Sequence, residues 1–391
     1  MYLKSKKLIS IIWLVFLVLA AYYIPPFIIK DVNLIDQSPD STAEELIRSK
    51  VLRIISDEKV EDPITGGQTF IRTQTIEVKI LEGKYKGKVV TAQNTISESL
   101  LFNIVVDKGD YILAFLELDE KGEISKAFVR DLIRDRYLVA LGVFFVLTLL
   151  VFGGMKGFKS LVTLALTIII ILRVMFPLII RGYSPIGVAV IASVVVTIVT
   201  LVIINGVNRK TFNAAVGTIG GVLIAGISAY IIINLSKVTG LGEDEAEMFM
   251  FIPNLASFNH RGILFAGIIM GALGAVMDIG MSIASAMNEI EKAKPDIKPK
   301  DLVKSGMNVG RDVMGTMTNT LILAYAGSSI HLILIFIIYK VNYDSIFNID
   351  MIASEIIRAL AGSIGLIFTI PITALVSGTI GRRKAIIKQD K

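Results

Sequence analysis

Ile186–Ile204 reads IGVAVIASVVVTIVTLVII, nineteen residues without a charge, between Arg181 on one side and Arg209-Lys210 on the other. A helix needs about 20 consecutive apolar residues to cross the hydrocarbon core of a bilayer. This run meets that length and ends where the charges begin. Working outward from it, six further runs of the same kind follow the first third of the chain: Tyr137–Phe152, Leu161–Ile180, Phe212–Leu235, Gly262–Met287, Val313–Tyr339 and Ile352–Ile380. One more, Leu8–Ile24, stands behind Lys4, Lys6 and Lys7 and is closed by Pro25 and Pro26. It reads as an uncleaved anchor. Its alternative is a secretory signal cut after Val18-Leu19-Ala20.

Composition agrees with this reading. Of the 391 residues, 53% are hydrophobic and 19% charged, and the mean hydropathy is +0.69. Soluble chains carry about 25% charged residues. A soluble enzyme, a coiled coil and a disordered chain are excluded. There are no cysteines and two histidines. Disulfides, thiolate metal sites and cysteine nucleophiles therefore drop out, and a histidine-built metal centre is not expected. Patterns for a P-loop, a zinc protease, a serine elbow and a dinucleotide fold are missing as well. The expectation is no enzyme, no catalytic residue, no metal and no cofactor.

The predicted architecture is a polytopic α-helical membrane protein of eight spans. It has three parts: an N-terminal anchor in residues 1–30, an extracytoplasmic β-rich domain in 31–135, and a seven-helix membrane domain with a short tail in 136–391. Between the first and second spans charge rises and strand-like segments appear: Val51–Ser56, Thr69–Leu81, Lys88–Gln93 and Tyr111–Leu118. Gly83–Gly87 reads as a hairpin connection between two of them. Four or five strands in that space predict a small barrel or sandwich.

Lys and Arg set the orientation. With the N-terminus inside, Lys156, Lys159, Arg209, Lys210, the lysines from Lys292 to Lys304, Arg311 and the tail from Arg382 to Lys391 all fall inside. Arg181, Lys237, Arg261 and Lys340 are what the short outside loops hold. Both termini are thus expected in the cytoplasm and the β domain outside. The net charge of +6 follows from this bias and calls for no nucleic acid. The bilayer is the expected partner, a further one on the β domain is the alternative, and the oligomeric state is left open. An amphipathic segment is expected around Met248–Ile252, behind Glu243–Glu247. A short interfacial helix and hinge are expected around Asp301–Val303, Gly306 and Gly310. Pro177 and Pro371 predict kinks.

Within the spans, Gly217, Gly221 and Ala225 repeat at four-residue spacing, as do Gly267, Gly271 and Ala275. Small residues at that spacing let helix backbones approach closely. Asp278 is the informative polar residue, because a carboxylate at membrane depth must face protein or water. Ser282, Ser285 and Glu289 share its helical face. The next span enters with Asp312, Thr316, Asn319 and Thr320. A polar ion or substrate pathway built from Asp278, Ser282, Ser285, Glu289, Asp312, Thr316, Asn319 and Thr320 is the expected site; a dry bundle with Asp278 bonded to Asn319 or Thr316 is the structural alternative. An outer polar layer is expected from Arg173, Glu355 and Arg358, either as an Arg173–Glu355 pair or with the arginines snorkelling to the headgroups.

Two segments are distinctive: GALGAVMDIGMSIASA (Gly271–Ala286) and SGMNVGRDVMGTMTNTLILAYAG (Ser305–Gly327). Together with Ala214–Thr218 and the Gly83–Lys88 hairpin, they resemble the YibE/F-like family of multi-pass bacterial membrane proteins. The resemblance implies a plasma-membrane protein with an N-terminal anchor and an extracytoplasmic segment, and no established catalytic or binding residue. Arg173 stands where it implies an apolar residue. The expected function is a secondary transporter or permease with no ATPase of its own. The alternative is a membrane scaffold whose β domain binds a partner.

Overall fold

A computed structural model describes residues 44–61, 70–97, 104–119, 122–242 and 259–389. The Leu8–Ile24 run and the Met248–Ile252 segment lie outside the described residues. The chain divides into two compact units, residues 33–151 and the helices from Phe152 onward.

In the first unit five strands, β1 (Glu44–Glu61), β2 (Phe70–Ile80), β3 (Val89–Ser97), β4 (Tyr111–Leu118) and β5 (Ile124–Leu132), close a barrel in the order β1-β2-β3-β5-β4. β3 and β5 pair in parallel and the other neighbours pair antiparallel. This is a small Greek-key barrel of the OB type. Period-two patterning builds its core. Ile76, Val78 and Ile80 on β2 and Ile112, Ala114 and Leu116 on β4 are all fully buried. Each of the larger ones contributes about 1.5–3 kcal/mol by leaving water. β1 is longer than the Val51–Ser56 expectation because it serves two neighbours. Its first half pairs with β4 and its second with β2, and bulges at Val51/Arg53 and Ile54/Ser56 bend it between them. Gly83 and Gly87 have φ of 75° and 89°, which is why glycine bounds that turn.

One polar network crosses this core. Gln74, 1% exposed, accepts from Val106 N at 3.1 Å and from Asn94 Nδ2 at 3.0 Å, and donates to Asp57 Oδ2 at 3.1 Å. Asp57 also takes both arms of the Arg72 guanidinium, at 2.7 and 2.6 Å. The Arg72 hydrogen bonds, helped by Gln74, lower the Asp57 pKa to about 2. A carboxylate held below its unfolded value stabilises the fold above about pH 4 and loses that contribution as pH falls through 2. Acid unfolding of the isolated barrel should therefore steepen between these values. Asp57→Asn should flatten that segment and lower the midpoint at neutral pH, as read by circular dichroism. An unchanged acid profile would sink the assignment.

The second unit is helical. α1 (Asp135–Ile170) leads through a π turn (Ile171–Met175) to α2 (Phe176–Ile180). The π turn sits where Pro177 is expected to disturb the helix, and Phe176 N–H reaches back to Ile171 O. Then come α3 (Pro185–Asn205), α4 (Arg209–Leu235), α5 (His260–Ala293), α6 (Pro299–Ser328), α7 (Ile330–Ile338), α8 (Tyr343–Ile346) and α9 (Asp350–Gln389). Among the described residues, five stretches are long and apolar enough to cross a membrane: Asp135–Ile180, Pro185–Asn205, Arg209–Leu235, His260–Ala293 and Asp350–Thr379. α6 and α7 together make a sixth, bent by 61° at Ser329, so the Val313–Tyr339 run is broken. The first stretch contains Gly154 at φ 51°, ψ −132°, outside helical geometry. α9 stays helical on both sides of Pro371.

Two expectations about glycine are corrected. Gly306 and Gly310 form no hinge. α6 begins at Pro299 and runs through both, and they seat Met287 and Ile370 respectively. Of the two small-residue repeats, Gly217, Gly221 and Ala225 do meet a neighbour, α9, at Thr373, Thr369 and Gly365. Gly267 meets nothing, and Gly271 meets only the Tyr325 hydroxyl. Among the described residues, Gly267 and Gly271 are exposed while Ala275 packs against the core.

Candidate functional site

α5 is deeply buried on one side and, among the described residues, bare on the other. Leu264, Ile268, Ala272, Val276, Ile279 and Ile283 lie in the core. Gly267, Gly271, Gly274, Asp278, Ser282 and Glu289 are exposed, with Ser285 half-buried among them. The spacing is three or four throughout, so these residues form one stripe down the helix. Asp278 sits near its middle, roughly 25 Å from either end at 1.5 Å per residue.

What the stripe lacks decides its meaning. α3 exposes Ile191, Val195 and Ile198, α4 exposes Leu223, Ile227 and Ile231, and α9 exposes Leu360, Ile367 and Phe368. Those are faces that suit lipid. Among the described residues, no large hydrophobic side chain is exposed anywhere from the start of α5 to Leu323 of α6. α6 instead exposes Asn308, Arg311, Asp312, Gly315, Thr316, Asn319 and Thr320. Asp312, Thr316, Asn319 and Thr320 are thus together on one face, as expected.

The two helices run antiparallel. Gly271 of α5 meets Tyr325 of α6, and Met287 meets Gly306. These two contacts bracket Asp278 on one helix and Thr316 on the other, which places them at a common level. They are not joined, however. The hydrogen bonds from Asp278 to Thr316 or Asn319 that mark the structural alternative do not form among the described residues. Thr316 Oγ1 donates to Val313 O at 2.9 Å and Thr320 Oγ1 to Thr316 O at 2.9 Å, both within their own helix. Asp278 is exposed instead of buried because its face of α5 is the uncovered one. Glu289 pairs with Lys292 at 2.8 Å, which leaves Asp278 as the unpaired acid of the stripe.

Of the two arrangements expected for the outer layer, the Arg173–Glu355 pair does not form among the described residues. Glu355 pairs with Arg358 of its own helix at 2.7 Å, with side chains only 16% and 21% exposed. Arg173 takes no part and is exposed on the π turn. The i, i+3 spacing is the ordinary one for a helical ion pair and could have been read from the sequence. Tyr325 lies within electrostatic reach of both charges, and a Cβ on Gly271 would lie 2.5 Å from its Oη. Sequence reasoning missed this tyrosine. It links the Glu355–Arg358 pair to the α5 stripe.

The geometry so far matches a known pattern of sequence. The model of the YibE/F-like protein family matches residues 141–383, and that of the YibE/F family N-terminal domain matches residues 47–132. The chain belongs to the YibE/F-like family. The first match contains the whole α5–α6 polar face and the second coincides with the barrel. No curated protein and no solved structure matches the chain. Family and apolar helices together suggest a membrane protein. Among the described residues, no group of three or more acidic or histidine side chains could hold a metal ion.

Proposed function

We propose that this YibE/F-like chain is a secondary transporter or permease of the bacterial plasma membrane, without an ATPase or a catalytic centre of its own. The Asp278 stripe is its solute or ion path. One observation carries the reading: a mid-helix carboxylate on a face with no large apolar side chain. Such a face is unfavourable against acyl chains, where a charge costs several kcal/mol. Water in a crevice between α5 and α6 satisfies it. Ser282, Ser285 and Glu289 extend the path towards one end of α5. Gly274, Gly271, Tyr325 and the Glu355–Arg358 pair extend it towards the other. A lone carboxylate suits coupling to a proton or a small cation.

On this reading the chain crosses eight times. Asp135–Ile180 spans about 69 Å at 1.5 Å per residue, more than twice a hydrocarbon core of about 30 Å. The non-helical Gly154 divides it into two crossings. The bent α6–α7 pair and the Leu8–Ile24 run supply two more. The excess of Lys and Arg then places both termini in the cytoplasm and the barrel outside.

The test is solute profiling of a deletion strain against the same strain carrying the wild-type gene. At least one solute or ion should differ in uptake or efflux, and the difference should vanish on rescue. If fluxes are identical across ions, metals and small metabolites, transport is lost as a function. The scaffold reading then takes its place. Leu46, Ile55 and Val60, each more than half exposed along β1, are what favours a protein partner for the barrel.

A further inference from the structure

The rim of the barrel from which α1 starts carries cations that the barrel does not pair. Lys79 of β2 lies opposite Lys50 of β1, and Lys50 lies opposite Tyr111 of β4. Their chain neighbours Val78, Ile80, Val51 and Ile112 are buried. Strand alternation therefore sets Lys79, Lys50 and Tyr111 in one row on the outer face. Like charges directly opposite each other on a sheet are destabilising. A third cation joins the row from α1. Arg136 Cζ lies 3.7 Å from the centre of the Tyr111 ring, and Lys50 Nζ lies 5.3 Å from it. Arg136 beside its hydroxyl, and then the charge of Lys50, hold the Tyr111 phenol below its usual pKa.

The acids on this side are engaged elsewhere. Asp135 and Glu82 meet Arg48 at 2.7 and 3.8 Å, Glu77 meets Arg53 at 2.8 Å, and Asp131 meets Arg134 at 2.7 Å. Asp110 accepts from Asp107 N in its own turn. Among the described residues no carboxylate pairs with Lys50, Lys79 or Arg136. The row is also open: Lys79 and Arg136 are exposed, Lys50 and Tyr111 half-buried. A guanidinium stacked by its face keeps its N–H edge free, so the row presents guanidinium, ammonium and phenol donors to one side, the set that an oxyanion takes. Position decides which oxyanion. Arg136 directly precedes Tyr137, where the apolar run begins. Ile133 N donates to Tyr111 O at 2.8 Å, and the Arg48–Asp135 pair fixes the first residue of α1. Barrel and helix start belong to one compact unit, which puts the row at the level where a span meets the headgroups.

We propose that Lys50, Lys79, Tyr111 and Arg136 bind the headgroup phosphate of an anionic phospholipid in the leaflet next to the barrel. The lipid relieves the Lys50–Lys79 repulsion and docks the barrel rim on that leaflet. The site requires α1 to cross the bilayer. It requires neither transport nor a particular side for the termini.

The test uses the full chain in nanodiscs of phosphatidylcholine with a trace of phosphatidylglycerol that carries a photoreactive headgroup. After illumination the adducts are mapped by peptide mass spectrometry. They should gather on the peptides of Lys50, Lys79, Tyr111 and Arg136, and unlabelled phosphatidylglycerol should compete them away. Lys50→Gln and Lys79→Gln should each weaken labelling by roughly fivefold, the scale of one cation near an anionic surface. Arg136→Lys keeps the charge and gives up the stacked fork, so it should fall between wild type and Arg136→Gln. Lys126→Gln is the control. Lys126 is exposed on β5 opposite Glu117, about 20 Å along β4 from Tyr111, and its loss should leave labelling unchanged. A second arm replaces sodium chloride by sodium phosphate at equal ionic strength. Labelling should persist there, and its loss would assign the site to free phosphate and overturn the lipid. Adducts spread evenly over the barrel, or equal labelling in wild type and the Lys50, Lys79 and Arg136 variants, would overturn the site itself.

Discussion

Replacing Gly221 by valine should leave almost no folded protein to recover from the membrane. The reason is the α4–α9 contact. A Cβ on Gly221 would lie 2.7 Å from Gly365 O, and a Cβ on Gly365 would lie 2.7 Å from Gly221 O and 2.6 Å from Ala225 Cβ. The obstacle on each side is backbone, which cannot rotate away as a side chain can. Thr369 tightens it further, since its Oγ1 donates to the same Gly365 O at 2.8 Å and itself rests on Gly221. Gly217 repeats the arrangement one turn along, against Thr373. Overpacking a well-filled core costs about 1–3 kcal/mol for small insertions and more where backbones must part. Without a hydrophobic driving force between helices in lipid, close packing is much of what holds them together. Gly221→Ala should lower the melting temperature in detergent, and Gly221→Val should remove the monodisperse peak on size exclusion. Gly274→Ala is the control, because a Cβ there meets nothing within 4 Å. Equal behaviour of Gly221→Ala and Gly274→Ala would refute the packing argument.

That contrast also shows where the sequence can be read and where it cannot. Apolar runs mark the helices because a backbone in lipid must satisfy itself internally, and this holds whatever surrounds each helix. Gly217–Ala225 and Gly267–Ala275 look alike in sequence. They differ because α9 packs along the first, while in the second a Cβ on Gly267 meets no described residue and one on Gly271 meets only Tyr325, and coverage is a tertiary fact. Gly306 and Gly310 were open to a hinge reading for the same reason. Here the missing side chain makes room for Met287 and Ile370.

The barrel was legible wherever one face is buried. β2 and β4 alternate cleanly, with burial at every second residue. β5 does not, because Ala127 is its buried core residue, and no strand is predicted there from the pattern. At the polar site the helical face of Asp278 follows from spacing alone, and the residues on it are those expected. Whether that face is covered does not follow from spacing. Hydrogen bonds to Thr316 and Asn319 depend on that coverage and do not form among the described residues.

Asp278→Asn should abolish the flux that the wild-type gene restores, with no loss of protein from the membrane. The side chain is exposed and makes no hydrogen bond among the described residues, so an amide of the same size removes no packing and orphans no partner. A purely structural residue at this position would tolerate the change. A coupling carboxylate would not, because an amide neither binds a proton in the working range nor neutralises a cation. Asp278→Glu keeps the charge and should retain part of the flux with an altered pH profile. Gly274→Leu supplies the independent arm. Gly274 has open space beyond it and lies one turn from Asp278 on the same stripe. The Cβ of a leucine there meets nothing within 4 Å, so melting temperature should hold while flux falls sharply as the side chain extends into the crevice. A bundle whose α5 face merely met lipid would accept that leucine, and would gain from it. Full flux in both Asp278→Asn and Gly274→Leu, at wild-type abundance, would therefore move the path off α5.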